Sequence, residues 1–268
     1  MDSQHQFSNY QLSEKEHRYG DNIHILSDAF LLSILARLCS PNTVQPEINR
    51  LTEMLYSNLI KIVVNNEFPR TSTRIATRML SSNPEGMYVG QIIDPKTQAV
   101  VVALSRAGNW PSHIVYDRLN TILNPTQVRQ AHITANRSTN EKEEVTGTDV
   151  FGQKIGGSTD NAIVLIPDPM GATGSTIETT LHTLANHGLP KKRIAVHLII
   201  TPEYVKKVRE IAPSLIVYAI RLDRGLSTER ALKSVPGIYP EEERGLNEKG
   251  YIIPGGGGFG EIMNNAEV

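Results

Sequence analysis

The residue types best suited to chemistry lie in the segment 162–176, AIVLIPDPMGATGST, where a short apolar run ends in an acid and a loop of small and hydroxyl residues follows. A helical pattern begins directly after the loop, because Ile177, Leu181 and Leu184 recur at helical spacing. A strand, such a loop and a helix N-terminus are the parts with which α/β proteins hold a phosphate, since free backbone N–H groups and the helix dipole favour negative charge. The segment therefore predicts a phosphate site.

An acid, Asp168, stands immediately before this loop. A carboxylate beside a phosphate is electrostatically unfavourable unless it binds sugar hydroxyls or a metal ion, so the segment indicates a ribose phosphate. Glycine at 171 and 174 lets the backbone approach closely and take positive φ. No lysine follows Gly174, which excludes a Walker loop. The alternative is a strand-to-helix turn without a ligand.

Two further motifs flank this segment. Ser105-Arg106-Ala107-Gly108 follows the apolar run VVVAL, and GLNEKGYIIPG occupies residues 245–255. Taken in order, the three motifs resemble the pyrophosphate loop, the ribose-phosphate motif and the uracil-binding segment of the uracil phosphoribosyltransferases, a type I phosphoribosyltransferase family. In the version resembled here, Pro169 replaces the second acid of the ribose-phosphate motif. The resemblance covers roughly residues 90–261, and GLNEKGYIIPG is its most specific part.

The resemblance implies transfer of a phosphoribosyl group from phosphoribosyl pyrophosphate to uracil, giving UMP and pyrophosphate in pyrimidine salvage. Asp168 and Arg106 are implied as catalytic: the carboxylate binds the ribose hydroxyls and stabilises positive charge at C1, and the guanidinium stabilises the leaving pyrophosphate. Mg²⁺ is implied as the cofactor, carried by the pyrophosphate substrate and not by protein ligands. The residues implied to bind phosphoribosyl pyrophosphate are Arg106, Arg137, Asp168, Pro169, Met170, Gly171, Ala172, Thr173, Gly174, Ser175 and Thr176.

Main-chain groups of residues 251–259 are implied to pair with the polar edge of uracil and to reject cytosine, whose donor pattern is exchanged. Phe259 either stacks on the ring or packs within this C-terminal hood. The family continues its segment with a Gly-Asp pair, whereas this chain has Gly257 and Gly258, so one acid is absent; the family's next acid is present as Glu261. The residues implied to bind uracil are Tyr251, Ile252, Gly257, Gly258 and Phe259.

The absent acid at position 258 leaves two alternatives open. One is a non-catalytic regulator that keeps the fold and senses phosphoribosyl pyrophosphate or a nucleotide. The other is a transferase for a different base. Turnover measured on a panel of bases distinguishes all three.

The elements that must position these residues follow from the apolar patterns. Apolar runs at 100–104, 163–166, 194–200 and 215–220 alternate with helical patterns, which predicts an α/β fold with a doubly wound, mostly parallel sheet. Ligands of such sheets bind beyond the carboxyl ends of the strands, which brings Arg106 and Asp168 to one crevice. Helices are predicted from Ile23 to Leu38, from about Pro46 to Val64, and after Thr201-Pro202. N-terminal helices and a C-terminal base-binding hood complete the predicted architecture.

Length and composition predict one domain over residues 1–268, with a loosely held polar segment at 1–22 and a surface insertion at about 228–244. Residues 137–157 are predicted to form a long loop or a hairpin. The formal net charge of −1 disfavours nucleic-acid and membrane partners, and the single Cys39 excludes a disulfide framework. Without a signal-peptide pattern or a membrane-length apolar run, the chain is predicted to be cytoplasmic, and a homodimer is expected.

Overall fold

A central sheet organises the chain. The computed structural model describes residues 10–139 and 145–266, and for 136–139 and 145–149 the backbone alone. The strands are β1 (Ile23–Ile25), β2 (Arg70–Ala76), β3 (Met87–Ile93), β4 (Ala99–Ser105), β5 (Val128–Thr139), β6 (Val145–Ile155), β7 (Ile163–Pro167), β8 (Met170–Gly171), β9 (Lys192–Ile200) and β10 (Ile216–Leu222). The α-helices are α1 (Ala29–Leu38), α2 (Glu47–Glu67), α3 (Asn109–Asn120), α4 (Ser175–Ala185), α5 (Pro202–Ile211), α6 (Glu229–Leu232) and α7 (Phe259–Ile262).

The main sheet has the strand order β1-β10-β9-β7-β4-β5-β6, and β8 pairs with β9. All of its pairs are parallel except β5 with β6. Apolar side chains of α1, α2 and α3 pack in one core cluster, and those of α4 and α5 pack in a second. Helices therefore cover both faces of the sheet, and the predicted doubly wound α/β fold is confirmed. None of the helices in the described ranges has the length and apolar character that crossing a bilayer requires.

The prediction of a helix from Ile23 is wrong over its first turn. Ile23 and Ile25 form an edge strand beside β10, with Ile23 opposite Val217. Both isoleucines are buried while His24 between them is not, which is the alternation of a strand. The helix begins only at Ala29, because the Asp28 side chain accepts a hydrogen bond from the Leu31 N–H and caps the helix N-terminus.

Within the described parts of residues 137–157, the chain pairs as a hairpin, one of the two forms that the sequence predicts. Strands β5 and β6 pair in antiparallel register from Ala131 opposite Ile155 to Thr139 opposite Val145. The backbone of Arg137 lies in β5, opposite Thr148, and its side chain lies outside the described residues.

Strands β2 and β3 form a second, separate two-stranded sheet.

The insertion at 228–244 has a buried anchor, so its prediction as a purely surface segment is wrong in part. Glu243 is 5% exposed and accepts hydrogen bonds from the Tyr19 hydroxyl (2.5 Å), the Arg224 guanidinium (2.7 Å) and the Gly237 N–H (2.9 Å). Tyr19 is itself 4% exposed. The later part of the polar N-terminal segment is therefore packed against the insertion, and not loosely held as the sequence predicts.

Candidate active site

Asp168 follows β7 at the carboxyl edge of the sheet. Strand β7 is buried along its length between β4 and β9, which places its end at the centre of that edge. The Asp168 N–H donates to the Val196 carbonyl (3.1 Å), and the Asp168 carbonyl accepts from His197 Nδ1 (2.6 Å). The main chain is thus fixed on both sides, and the half-buried side chain lines a small pocket.

The predicted phosphate loop begins as a short strand. Met170 and Gly171 form β8 beside β9, and the carbonyl of Pro169 accepts from the N–H groups of residues 198 and 199. Thr201 donates through its N–H to the Gly171 carbonyl (3.1 Å) and through its hydroxyl to the Ala172 carbonyl (2.6 Å). These carbonyl oxygens are satisfied within the protein, so the loop is held rigidly against β9.

The N-terminus of α4 opens beside Asp168. Its N-cap is Gly174, at φ +84°, which has no side chain to cap the helix, and the Ser175 N–H donates to the Thr173 hydroxyl at 3.4 Å. The N–H groups of the first helical turn have no carbonyl partner four residues earlier, which favours an anion at this end of the helix. The Thr173 and Ser175 hydroxyls lie 2.9 Å apart at this point. The pocket is lined by Asp168, Met170, Ala172, Thr173, Gly174, Thr176, Ile177 and Tyr204.

Arg106 leaves the same edge of the sheet as Asp168, because β4 and β7 are parallel neighbours. A Cβ on Gly108 would lie 2.8 Å from the Leu104 carbonyl oxygen and 2.9 Å from that of Pro167, so the turn after β4 packs closely against the end of β7. The Arg106 side chain is 43% exposed, and Nη2 lies 3.7 Å from Glu261 Oε1. The structure therefore brings together the two loops that the sequence predicts to share a crevice.

A nearly buried ion pair holds the C-terminal hood to this edge. Arg221 donates to Asp223 through Nε (2.6 Å) and Nη2 (2.7 Å). Arg221 Nη2 also donates to the Gly255 carbonyl (2.9 Å), and Asp223 Oδ2 accepts from the Gly255 N–H (2.8 Å). Sequence reasoning did not identify this pair, although its position at the end of β10, where parallel sheets place functional groups, was a usable signal.

A family model described as uracil phosphoribosyltransferase matches residues 25–239 of this chain. The chain belongs to the uracil phosphoribosyltransferase family. The matched range contains the Arg106 turn, the loop after Asp168 and the hairpin, and it ends before the predicted base-binding segment at 245–255.

Curated members of the family are similar to parts of the chain. A uracil phosphoribosyltransferase of Thermosipho africanus is 31% identical over 174 residues, which cover 65% of this chain and 68% of that protein. One of Thermococcus sibiricus is 30% identical over 115 residues, covering 43% of this chain and 41% of the relative. The chain thus spans about two fifths of the length of the relatives from Thermococcus sibiricus and Pyrococcus furiosus.

A solved structure of an Aquifex aeolicus protein superimposes with a TM-score of 0.69, covering 92% of this chain and 99% of that one. Its sequence identity is 21%. The similarity supports the α/β fold.

Side-chain oxygens of Glu203 and Asn247 hold the main chain of the hood. The Glu203 carboxylate accepts from the N–H groups of Gly245 (3.0 Å) and Leu246 (3.2 Å). Asn247 Oδ1 accepts from the N–H groups of residues 249 and 251 and closes a tight turn. Tyr251 at the end of this turn is 43% exposed. The segment is therefore fixed at its start by α5 and at Gly255 by the ion pair.

The structure favours one of the two interpretations of Phe259. Its side chain is 2% exposed and belongs to the main hydrophobic cluster, beside Gly256. Such burial supports packing within the hood over stacking on a ligand. Gly257 has φ +87° and Gly258 has φ −81°, so only the first requires a left-handed backbone.

A buried histidine lies behind Asp168. His197 Nδ1 donates to the Asp168 carbonyl, and its Nε2 accepts from the Tyr204 hydroxyl at 2.7 Å. The Tyr204 ring packs against Gly171, where a Cβ would lie 3.2 Å from it. Burial lowers the pKa of His197 to about 4, so the ring is neutral near pH 7. The pair connects the main chain of Asp168 to the phosphate loop, and sequence reasoning missed it.

This histidine should make the protein less stable in mild acid. The pKa of His197 is about 4 in the folded chain and about 6.5 in the unfolded chain, so only the unfolded chain gains a proton between these values. Its contribution to stability is complete above pH 6.5 and is lost as the pH falls toward 4. Linkage gives a loss on the order of 2 kcal/mol between pH 7.5 and pH 5.0.

Urea unfolding of the wild type and of His197→Asn at these two pH values measures the contribution. The variant should be less stable at pH 7.5, and its disadvantage should shrink at pH 5.0. The exposed His113→Asn serves as the control and should follow the wild type. An equal pH dependence for wild type and His197→Asn would contradict the expectation.

Proposed function

We propose that the protein transfers a phosphoribosyl group from phosphoribosyl pyrophosphate to uracil, giving UMP and pyrophosphate in pyrimidine salvage. The observation that carries this proposal is the N-terminus of α4, which has glycine at its N-cap and lies beside Asp168 in one pocket, in a chain of this family. The Arg106 turn and the hood lie at the same edge of the sheet, which supports binding of the pyrophosphate at the turn and of the base at the hood.

The 5-phosphate would occupy the loop at 172–176 and complete the cap of α4. Backbone N–H groups and the Thr173, Ser175 and Thr176 hydroxyls would donate to it. Asp168 would accept from the ribose 2- and 3-hydroxyls. As the bond between C1 and the pyrophosphate oxygen breaks, positive charge develops at C1, and the fixed carboxylate stabilises it more strongly than it stabilises the ground state.

Arg106 and Arg137 would stabilise the leaving pyrophosphate, on which negative charge accumulates. Mg²⁺ bound to this substrate would supply further charge neutralisation. The metal would arrive with this substrate. Among the side chains described in residues 10–135 and 150–266, no three of His, Cys, Asp or Glu are arranged to hold an ion.

The base would bind against the main chain of the hood, at Tyr251, Ile252, Gly257 and Gly258. The new bond joins C1 to a ring nitrogen, the C1–O bond breaks, and the proton of that nitrogen leaves to solvent. Backbone donors and acceptors arranged to pair with uracil would be mispaired by cytosine, whose exocyclic group reverses one donor and one acceptor. Such mispairing should lower kcat/KM for cytosine by about two orders of magnitude or more relative to uracil.

We propose that the enzyme acts as a cytoplasmic homodimer. The separate sheet of β2 and β3 and its connection expose Ile75 (48%), Met79 (56%) and Leu80 (41%), an apolar group suited to contact with a second copy.

The deciding experiment measures product formation from phosphoribosyl pyrophosphate, Mg²⁺ and a panel of bases. Turnover with uracil, at least about 100-fold above cytosine in kcat/KM, is expected, and EDTA should abolish it. Turnover with another base alone would identify a transferase for that base. Binding of phosphoribosyl pyrophosphate without turnover on any base would identify a regulator that keeps the fold.

A further inference from the structure

Glu261 occupies the space beside Gly258 in the hood. A Cβ at position 258 would overlap the Glu261 Oε2 atom. The backbone of Gly258, at φ −81° and ψ 98°, is one that any residue can adopt, so the Glu261 side chain and not the backbone conformation opposes a larger residue there. Glu261 lies on α7, and its N–H donates to the Gly258 carbonyl at 3.2 Å.

The Glu261 carboxylate also faces the Arg106 turn. Glu261 Oε1 lies 3.7 Å from Arg106 Nη2, and the two side chains are 31% and 43% exposed. The neighbouring Gly260 also approaches Arg106, since a Cβ there would lie 4.0 Å from the arginine Cβ. One carboxylate thus contacts the hood through one oxygen and faces the arginine with the other.

We propose that Glu261 is a positioning residue that places a carboxylate at Gly258, where the chain lacks the acid expected from the family, and that links the base-binding segment to Arg106. This inference rests on the proposed function. It assigns a reason to the glycine at 258: Glu261, the family's next acid, reaches back with its side chain over the position whose own acid is absent.

Two opposite effects follow when the charge of Glu261 is removed. The carboxylate competes with an anionic ligand for Arg106, so Glu261→Gln should bind phosphoribosyl pyrophosphate more tightly. A partly exposed pair of this kind limits the gain to about five-fold. The hood loses its attachment to the arginine turn, so the KM for uracil should rise about ten-fold while kcat changes less.

The position of the carboxylate is tested by moving it. Gly258→Asp alone should give no gain and should lower the melting temperature, because the new side chain collides with Glu261. In Gly258→Asp/Glu261→Ala that space is free, and the KM for uracil should return toward the wild-type value from the raised value of Glu261→Ala. If Glu261 had only a structural role, adding Gly258→Asp to Glu261→Ala would not lower the KM for uracil.

Calorimetry with phosphoribosyl pyrophosphate and Mg²⁺, steady-state kinetics with uracil and thermal melts are measured on each variant. Glu210→Gln, an exposed carboxylate on α5, is the matched control and should leave all three unchanged. Affinity and KM within two-fold of this control in Glu261→Gln, or no recovery in the double variant, would overturn the inference. If the wild type turns over no base, the proposed function fails, and the calorimetric comparison still decides the link between Glu261 and Arg106.

Discussion

Asp168→Asn should lower kcat with uracil by about 10²- to 10³-fold, with a much smaller change in the KM for phosphoribosyl pyrophosphate. The substitution keeps the size of the side chain and removes its charge. The main-chain hydrogen bonds of residue 168, from its N–H to Val196 and from His197 to its carbonyl, do not involve the atoms that change. The loss should therefore report the charge at C1 in the transition state and not a displaced loop.

Steady-state kinetics with both substrates varied measure this effect. Asp117→Asn is the matched control, since that carboxylate is exposed on α3 and pairs with the neighbouring Arg118. The control should keep the wild-type kcat. A kcat for Asp168→Asn within a few-fold of the wild type would assign Asp168 a structural role.

Asp223→Ala should lower the free energy of unfolding by about 3 kcal/mol and raise the KM for uracil. Asp223 is 2% exposed, and its removal leaves the Arg221 guanidinium, itself 21% exposed, without its carboxylate partner. It also removes the acceptor for the Gly255 N–H. Stability and base binding should therefore fall together.

Replacing the whole pair separates the two effects. Arg221→Met/Asp223→Leu leaves no unpaired charge, so it should recover much of the stability lost in Asp223→Ala. It cannot hold the Gly255 peptide groups, so the KM for uracil should stay raised. Urea unfolding and kinetics on both variants make the measurement. A double variant with wild-type KM would show that the pair stabilises the fold without positioning the hood.

The sequence was sufficient to predict the parts of the site that depend on local patterns. The apolar run before Asp168, the glycines of its loop and the helical spacing after Ser175 are all read within a short window of the chain. The general rule that ligands bind at the carboxyl ends of parallel strands predicted that Arg106 and Asp168 follow strands at one edge of the sheet, and β4 and β7 are parallel neighbours.

Local patterns could not predict the features that depend on residues far apart in the sequence. Strand β1 is three residues long and exists through its pairing with β10, so its alternation was too short to separate from a helical face. The contact of Arg221 with Gly255 and of His197 with Asp168 joins residues far apart in the chain. Glu261 was visible as an acid, but its position over Gly258 depends on the fold of α7.

The insertion at 228–244 supplies the hydrogen-bond acceptors of a largely buried charge, that of Arg224. Arg224 is largely buried and takes its acceptors from the insertion: the Glu243 carboxylate and the carbonyls of Ala231 and Ser234. Deleting the insertion would leave the Arg224 guanidinium without these acceptors. Arg224 is next to Asp223, which accepts from the Gly255 N–H in the hood. A shortened chain should therefore fold better when Arg224 is replaced in the same step, since the insertion and the buried charge depend on each other.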